Sequence, residues 1–178
     1  MPPTNNRQVV RRNTVGMRIA DVARLFDYLY WIRDRVLTAA AGLSDDDFRS
    51  TETVATRDLR STLVHELDVE SSWRQRLAGV DPAAEESELD PLDYPTVAAL
   101  TAAWSRDESA MRMWIGSLTE AELAAPPPHE RATLPLADYL MHIVGHGIEE
   151  FTEAALLLTR AGHSPGDIEF LEFVDPRV

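Results

Sequence analysis

Four segments of the sequence repeat apolar residues at three- and four-residue steps, and clusters rich in proline, glycine and acidic residues separate them. Such a repeat places apolar side chains along one face of an α-helix. The predicted helices span residues 17–41, 57–78, 95–118 and 135–162. At about 1.5 Å per residue they are roughly 30 to 40 Å long, which is the scale of a bundle. Because no segment alternates as a strand does, the sequence predicts an all-α fold, a four-helix bundle.

Residues 17–178 are expected to form one domain, preceded by a flexible leader at residues 1–16, since a chain of 178 residues suits a single core. The connections between predicted helices reach about 15 residues, which is long enough for a crossover between parallel neighbours. A capped turn is predicted at residues 43–47, and a capping box from Thr119 to Glu122. The predicted apolar core includes Phe26, Leu63, Trp104 and Phe151.

The composition excludes several kinds of chemistry. All 17 basic residues are arginine, so a Schiff-base lysine and the lysine of a phosphate-binding P-loop are excluded. The absence of cysteine excludes disulfides, thiolate ligands and a cysteine nucleophile. A net charge of −13 argues against general electrostatic binding of nucleic acid. No stretch approaches the roughly 18 to 20 apolar residues of a membrane span, and no signal peptide is evident, so we expect a cytoplasmic protein.

Histidine and glutamate residues in the last predicted helix have the spacing of metal ligands. His142, His146 and Glu150 follow one another at four-residue intervals, which brings neighbouring side chains together on one face. Four residues turn a helix by about 400°, so Glu150 lies toward the apolar side of His146 and His142 toward solvent. This favours His146 and Glu150 as an inward pair, with His65, at the margin of the second helix's apolar stripe, as third ligand. The spacing is also compatible with an ordinary surface contact.

Two acidic residues of the second predicted helix, Glu66 and Glu70, fall within its apolar arc. A buried carboxylate requires a partner, such as an arginine, a histidine N–H or a metal ion. We interpret both residues as groups that orient His65 or move a proton. His129 and His163 lie in predicted loops and are not expected to bind a metal.

Three segments carry a more specific pattern. The segment LVHELDVESSWRQRLAG, residues 63–79, has a histidine, a later acidic residue, a tryptophan and a closing glycine. Residues 136–171 contain His-x-x-x-His-Gly, followed by Ala-Gly-His-x-Pro and an acidic residue. Residues 25–48 match a first helix with its following turn. Together these segments resemble the DinB-like (YfiT-type) family of metal-dependent bundle proteins.

The resemblance implies a four-helix bundle, often a homodimer, that holds a divalent metal with one histidine of the second helix and two of the last. By position these ligands are His65, His146 and residue 150, where this chain has Glu150 instead of the usual histidine. Two histidines and one glutamate suit zinc with an open position, and iron(II) also binds such triads. The expected metal is zinc, nickel or iron; a site that has lost its metal is the alternative.

Family members that depend on bacillithiol or mycothiol imply a transferase or isomerase that uses a low-molecular-weight thiol and a small-molecule substrate. The metal would lower the pKa of the incoming thiol, and Glu70 and His142 are the candidate catalytic residues. Two alternatives stay open, a metal-dependent hydrolase and a non-enzymatic, stress-associated dimeric bundle. Neither nucleic acid nor a membrane is an expected partner.

Overall fold

The computed structural model describes residues 16–50, 57–80, 88–129, 131–175 and 177. Within these ranges the chain contains helices and no β-strand, which confirms the predicted all-α fold. The four long helices correspond to the four predicted segments, and no end differs from its predicted position by more than two residues. The described helices are α1 (Ile19–Ala40), α2 (Asp45–Phe48), α3 (Leu59–Leu77), α4 (Val97–Ser117), α5 (Glu120–Leu123), α6 (Leu136–Arg160) and α7 (Phe170–Val174).

Local sequence signals set the ends of these helices. The Asp58 side chain accepts a hydrogen bond from the Ser61 N–H at 2.8 Å, which caps the first turn of α3. The predicted capping box is present at α5, where Thr119 and Glu122 exchange hydrogen bonds. Helix α6 ends two residues before Gly162, whose φ of 85° lies in the left-handed region that glycine adopts without strain. The predicted ends therefore follow from local chemistry.

The four long helices pack around one apolar core. Helices α1 and α3 each contact both α4 and α6, and the contacts that α6 makes with α1 and α3 are the most extensive. The predicted core residues Phe26, Leu63, Trp104 and Phe151 are all at most 1% exposed, so that prediction is confirmed. Burying a large apolar side chain contributes roughly 1.5 to 3 kcal/mol. This packing holds α3 and α6 side by side.

Two short elements among the described residues were not predicted from the sequence. A 3-10 turn covers Pro91–Asp93, and the aromatic residues of α7 pack on α1. The ring of Phe170 lies 5.1 Å from that of Tyr28, and the ring of Phe173 lies 5.9 Å from that of Trp31. With only five residues, α7 is too short to display a helical repeat, so its position depends on tertiary contacts.

The predicted flexible leader, residues 1–16, lies outside the described residues except for Gly16. The proposed domain boundary at residue 17 therefore stays a prediction. Among the described helices, none is long and apolar enough to cross a membrane.

Candidate metal site

Helices α3 and α6 bring together the three residues that were predicted to bind a metal ion. His65 lies on α3, and His146 and Glu150 lie one turn apart on α6. One ligand atom from each residue lies within 4.8 Å of the other two. Glu150 Oε1 lies 3.7 Å from His146 Nε2 and 3.9 Å from His65 Nε2. Two imidazole nitrogens and one carboxylate oxygen thus face one small volume; these three residues are called the ligand cluster below.

The ligand cluster lies at the margin of the interface between α3 and α6, partly open to solvent. The exposed fractions of its side chains are 32% for His65, 21% for His146 and 12% for Glu150. His65 occupies the edge of the apolar stripe of α3, as its sequence position predicted. Part of each of these side chains therefore lies outside the closed core.

Glu66, a fully buried residue of α3, orients His146. Its Oε2 lies 2.7 Å from His146 Nδ1, a distance at which Nδ1–H donates to the carboxylate; in the neutral form of that tautomer, Nε2 is the acceptor that faces Glu150. Burial raises the pKa of Glu66 to about 7, and the hydrogen bond to Glu66 raises the pKa of His146. The structure corrects the interpretation of Glu66 as a partner of His65, because the carboxylate reaches across the interface to α6.

Gly147, which follows His146 in α6, makes room for Glu66. A Cβ atom at position 147 would lie 2.5 Å from Glu66 Oε1 and 2.7 Å from Leu29 Cδ1, far inside van der Waals contact. A larger residue would therefore push the carboxylate away from the histidine that it orients. The glycine that closes the His-x-x-x-His-Gly pattern is the sequence signal for this close approach, although periodicity alone does not assign its role.

Arg57, which precedes α3, contacts Glu150 directly and was not predicted as a site residue. Its Nη1 lies 3.1 Å and 2.9 Å from the two carboxylate oxygens of Glu150. Burial lowers the pKa of His65, and the positive charge of Arg57 lowers it further, so this histidine offers a neutral imidazole near neutral pH. Arg57 is the first residue of the second predicted helix but belongs neither to its apolar stripe nor to a motif, so only the fold reveals the contact.

Glu70, one of the two predicted catalytic residues, is fully buried in the core rather than in the ligand cluster. The Tyr30 hydroxyl donates a hydrogen bond to Glu70 Oε1, and Trp104 Nε1 lies 3.5 Å from Oε2. Burial raises the pKa of Glu70 to about 8, so the carboxyl holds a proton at neutral pH. A direct role in catalysis stays a prediction.

His142, the other predicted catalytic residue, lies on the exposed side of α6. Its ring centroid is 6.4 Å from that of His146, one turn further along the helix, and 5.5 Å from the ring of Trp73. The side chain therefore borders the ligand cluster on its solvent side, as the helical geometry predicted. Its catalytic role also stays a prediction.

The described part of the chain is a helical bundle with two histidines and a glutamate, a candidate metal site, between its second and fourth long helices. Residues 12–177 match the model of the DinB family, and the chain belongs to that family. The fold is similar to the crystal structure of a DinB family member protein from Shewanella denitrificans. That similarity has 14% sequence identity, covers 89% of each chain and has a TM-score of 0.52, so it shows the fold alone. No curated protein matches the sequence.

Proposed function

We propose that this protein holds a divalent metal ion at His65, His146 and Glu150. In a tetrahedral zinc site with bonds of about 2.0 to 2.2 Å, neighbouring ligand atoms are about 3.3 to 3.6 Å apart. Glu150 Oε1 lies 3.7 Å and 3.9 Å from the two imidazole nitrogens, so small side-chain movements would complete the site. This fit of the donor atoms to metal geometry is the observation that carries the proposal.

The surroundings of the ligand cluster support the same conclusion. Glu66 keeps Nε2 of His146 turned toward Glu150, as carboxylates commonly do for histidine ligands. The partial exposure of His65 leaves a path for a substrate to a fourth coordination position. A metal ion in such a site supplies Lewis acidity, which lowers the pKa of a thiol or a water molecule.

We propose further that the protein is a transferase or isomerase that uses an external low-molecular-weight thiol. The chain contains no cysteine, so the sulfur must come from a cosubstrate. In a transfer, the sulfur would form a bond to an electrophilic carbon, its proton would pass to a base, and the leaving group would depart with the electron pair. Neither Glu66, which is bonded to His146, nor Glu70, which is enclosed in the core, can act as a base at the metal in such a transfer.

His142 is the candidate to accept the thiol proton. It is exposed beside the ligand cluster, and imidazole is the usual general base of enzymes near neutral pH. Glu70 would not contact the substrate, because Tyr30 and Trp104 enclose its carboxyl group, so it would be a positioning residue.

Metal analysis of protein purified without an affinity tag tests the proposed centre. We expect a stoichiometric divalent ion in the wild type and loss of that ion in His146→Ala. His129→Ala, which changes a loop histidine, is the matched control and should retain the metal. A wild type that takes up no metal, even when zinc, nickel or iron(II) is supplied, would contradict the proposal.

The chemistry is tested with metal-loaded protein and an electrophilic acceptor, with and without bacillithiol or mycothiol. Turnover that requires the thiol would support the transferase, and His142→Ala should then reduce it. Equal turnover without thiol would favour the metal-dependent hydrolase. No turnover with metal bound would favour a non-enzymatic bundle with a structural metal.

A further inference from the structure

Arg57 forms hydrogen bonds with the carboxylate of Glu150, which would serve as the third metal ligand. Its Nη1 lies 3.1 Å from Glu150 Oε1 and 2.9 Å from Oε2, so one NH₂ group spans both oxygens. Oε1 is also the oxygen that lies 3.7 Å from His146 Nε2 and 3.9 Å from His65 Nε2. The guanidinium and the ligand cluster therefore share the same oxygen atom.

A divalent cation in the ligand cluster would compete with Arg57 in two ways. The guanidinium donates to the same Oε1 that the cation would bind, which weakens that oxygen as a ligand, and the arginine repels the cation's charge across the carboxylate. Water screens this repulsion incompletely, because the Glu150 side chain is only 12% exposed.

We propose that Arg57 is a built-in competitor for the metal ligand Glu150, so that metal binding exchanges an arginine–glutamate ion pair for a metal–carboxylate bond. This inference rests on the metal centre proposed above. The Arg57 side chain is 33% exposed, and its flexible stem lets the guanidinium turn into solvent when a cation displaces it. In the metal-free protein the ion pair keeps a largely buried carboxylate from lying unpaired beside two histidines. Arg57 thus sets the metal affinity of the site.

Zinc titrations against a chromogenic chelator, at fixed pH and ionic strength, measure this competition. We expect Arg57→Gln to bind zinc about tenfold more tightly than the wild type, which is equivalent to about 1.4 kcal/mol. Arg160→Gln, which removes an exposed arginine at the end of α6, is the matched control and should leave zinc affinity unchanged. In a Glu150→Gln background, Arg57→Gln should have a smaller effect, because the shared carboxylate is gone.

Thermal unfolding followed by circular dichroism gives a readout that does not depend on activity. Loss of the ion pair should lower the unfolding temperature of metal-free Arg57→Gln. Saturating zinc should then raise that temperature by more than it raises the temperature of the wild type, since tighter binding stabilises the folded state further.

The outcomes separate this inference from the proposed metal centre. If the wild type binds zinc and Arg57→Gln binds it equally or more weakly, the competition is wrong and the metal centre stands. Zinc binding that appears only in Arg57→Gln would support a competition strong enough to exclude zinc from the wild type. If neither protein binds zinc, nickel or iron(II), both proposals are wrong.

Discussion

Replacing Gly147 by alanine would test whether the close approach of Glu66 to α6 supports the ligand cluster. The added Cβ would lie 2.5 Å from Glu66 Oε1 and 2.7 Å from Leu29 Cδ1. Neither neighbour can move away freely, because both are fully buried and Glu66 is bonded to His146. We therefore expect the substitution to destabilise the fold and to displace Glu66 from His146.

The expected change in the free energy of unfolding is the sum of two opposing effects. Alanine is favoured over glycine in a helix interior by about 1 kcal/mol, whereas an extra methyl group in a packed core costs about 1 to 3 kcal/mol. The matched control is Gly145→Ala in the same helix, where an added Cβ would meet nothing within 4 Å. Gly145→Ala should therefore raise the free energy of unfolding by about 1 kcal/mol. Gly147→Ala should lower it by up to about 2 kcal/mol.

Urea denaturation followed by far-UV circular dichroism measures both free energies on metal-free protein. Zinc affinity is the second readout, because loss of the partner that orients a histidine ligand typically costs about 10- to 100-fold in metal affinity. We expect that loss in Gly147→Ala and not in Gly145→Ala. Equal stabilisation by the two alanines would refute the close approach at position 147. Unchanged zinc affinity in Gly147→Ala would refute the orienting role of Glu66.

Two further predictions concern Glu70 and the assembly. Burial raises the pKa of Glu70 from 4.5 to about 8, so between these values unfolding releases a proton and rising pH destabilises the folded state. Relative to Glu70→Gln, the wild type should lose up to about 1.4 kcal/mol per pH unit across this range in urea denaturation; a constant difference would contradict this. The family resemblance predicts a homodimer, for which Met113 and Leu156, 74% and 63% exposed, are candidate contact residues. A single sedimenting species of 19.9 kDa would contradict that assembly.

Most of the fold could be predicted from the sequence, because the signals that specify helices are local. Helix periodicity depends on residues three and four positions apart, and caps such as Asp58 act on the first turn that follows them. Residues in the middle of strong apolar stripes, such as Trp104 and Phe151, must be buried in any bundle that uses those faces. The short helix α7 was missed because five residues carry too little periodicity.

The ligand cluster could be predicted from the sequence only in part. The spacing of His146 and Glu150 follows from helix geometry, and His65 was the candidate histidine on another helix. A surface contact has the same spacing, however, so the family resemblance was needed to favour the metal site. The buried position of Glu66 and Glu70 in the apolar arc of α3 was predictable from the wheel. The partner that each carboxylate contacts could not be predicted, because a helical wheel contains no information about the neighbouring helix.

By itself, the sequence determined the four long helices, their apolar faces and the absence of lysine and cysteine chemistry. The tertiary structure alone decided that Glu66 orients His146 and that Arg57 holds Glu150, contacts that span 80 and 93 residues of chain. Periodic patterns fix which way a side chain faces within its own helix. The register and separation of α3 and α6, which result from packing the whole core, decide what that side chain meets.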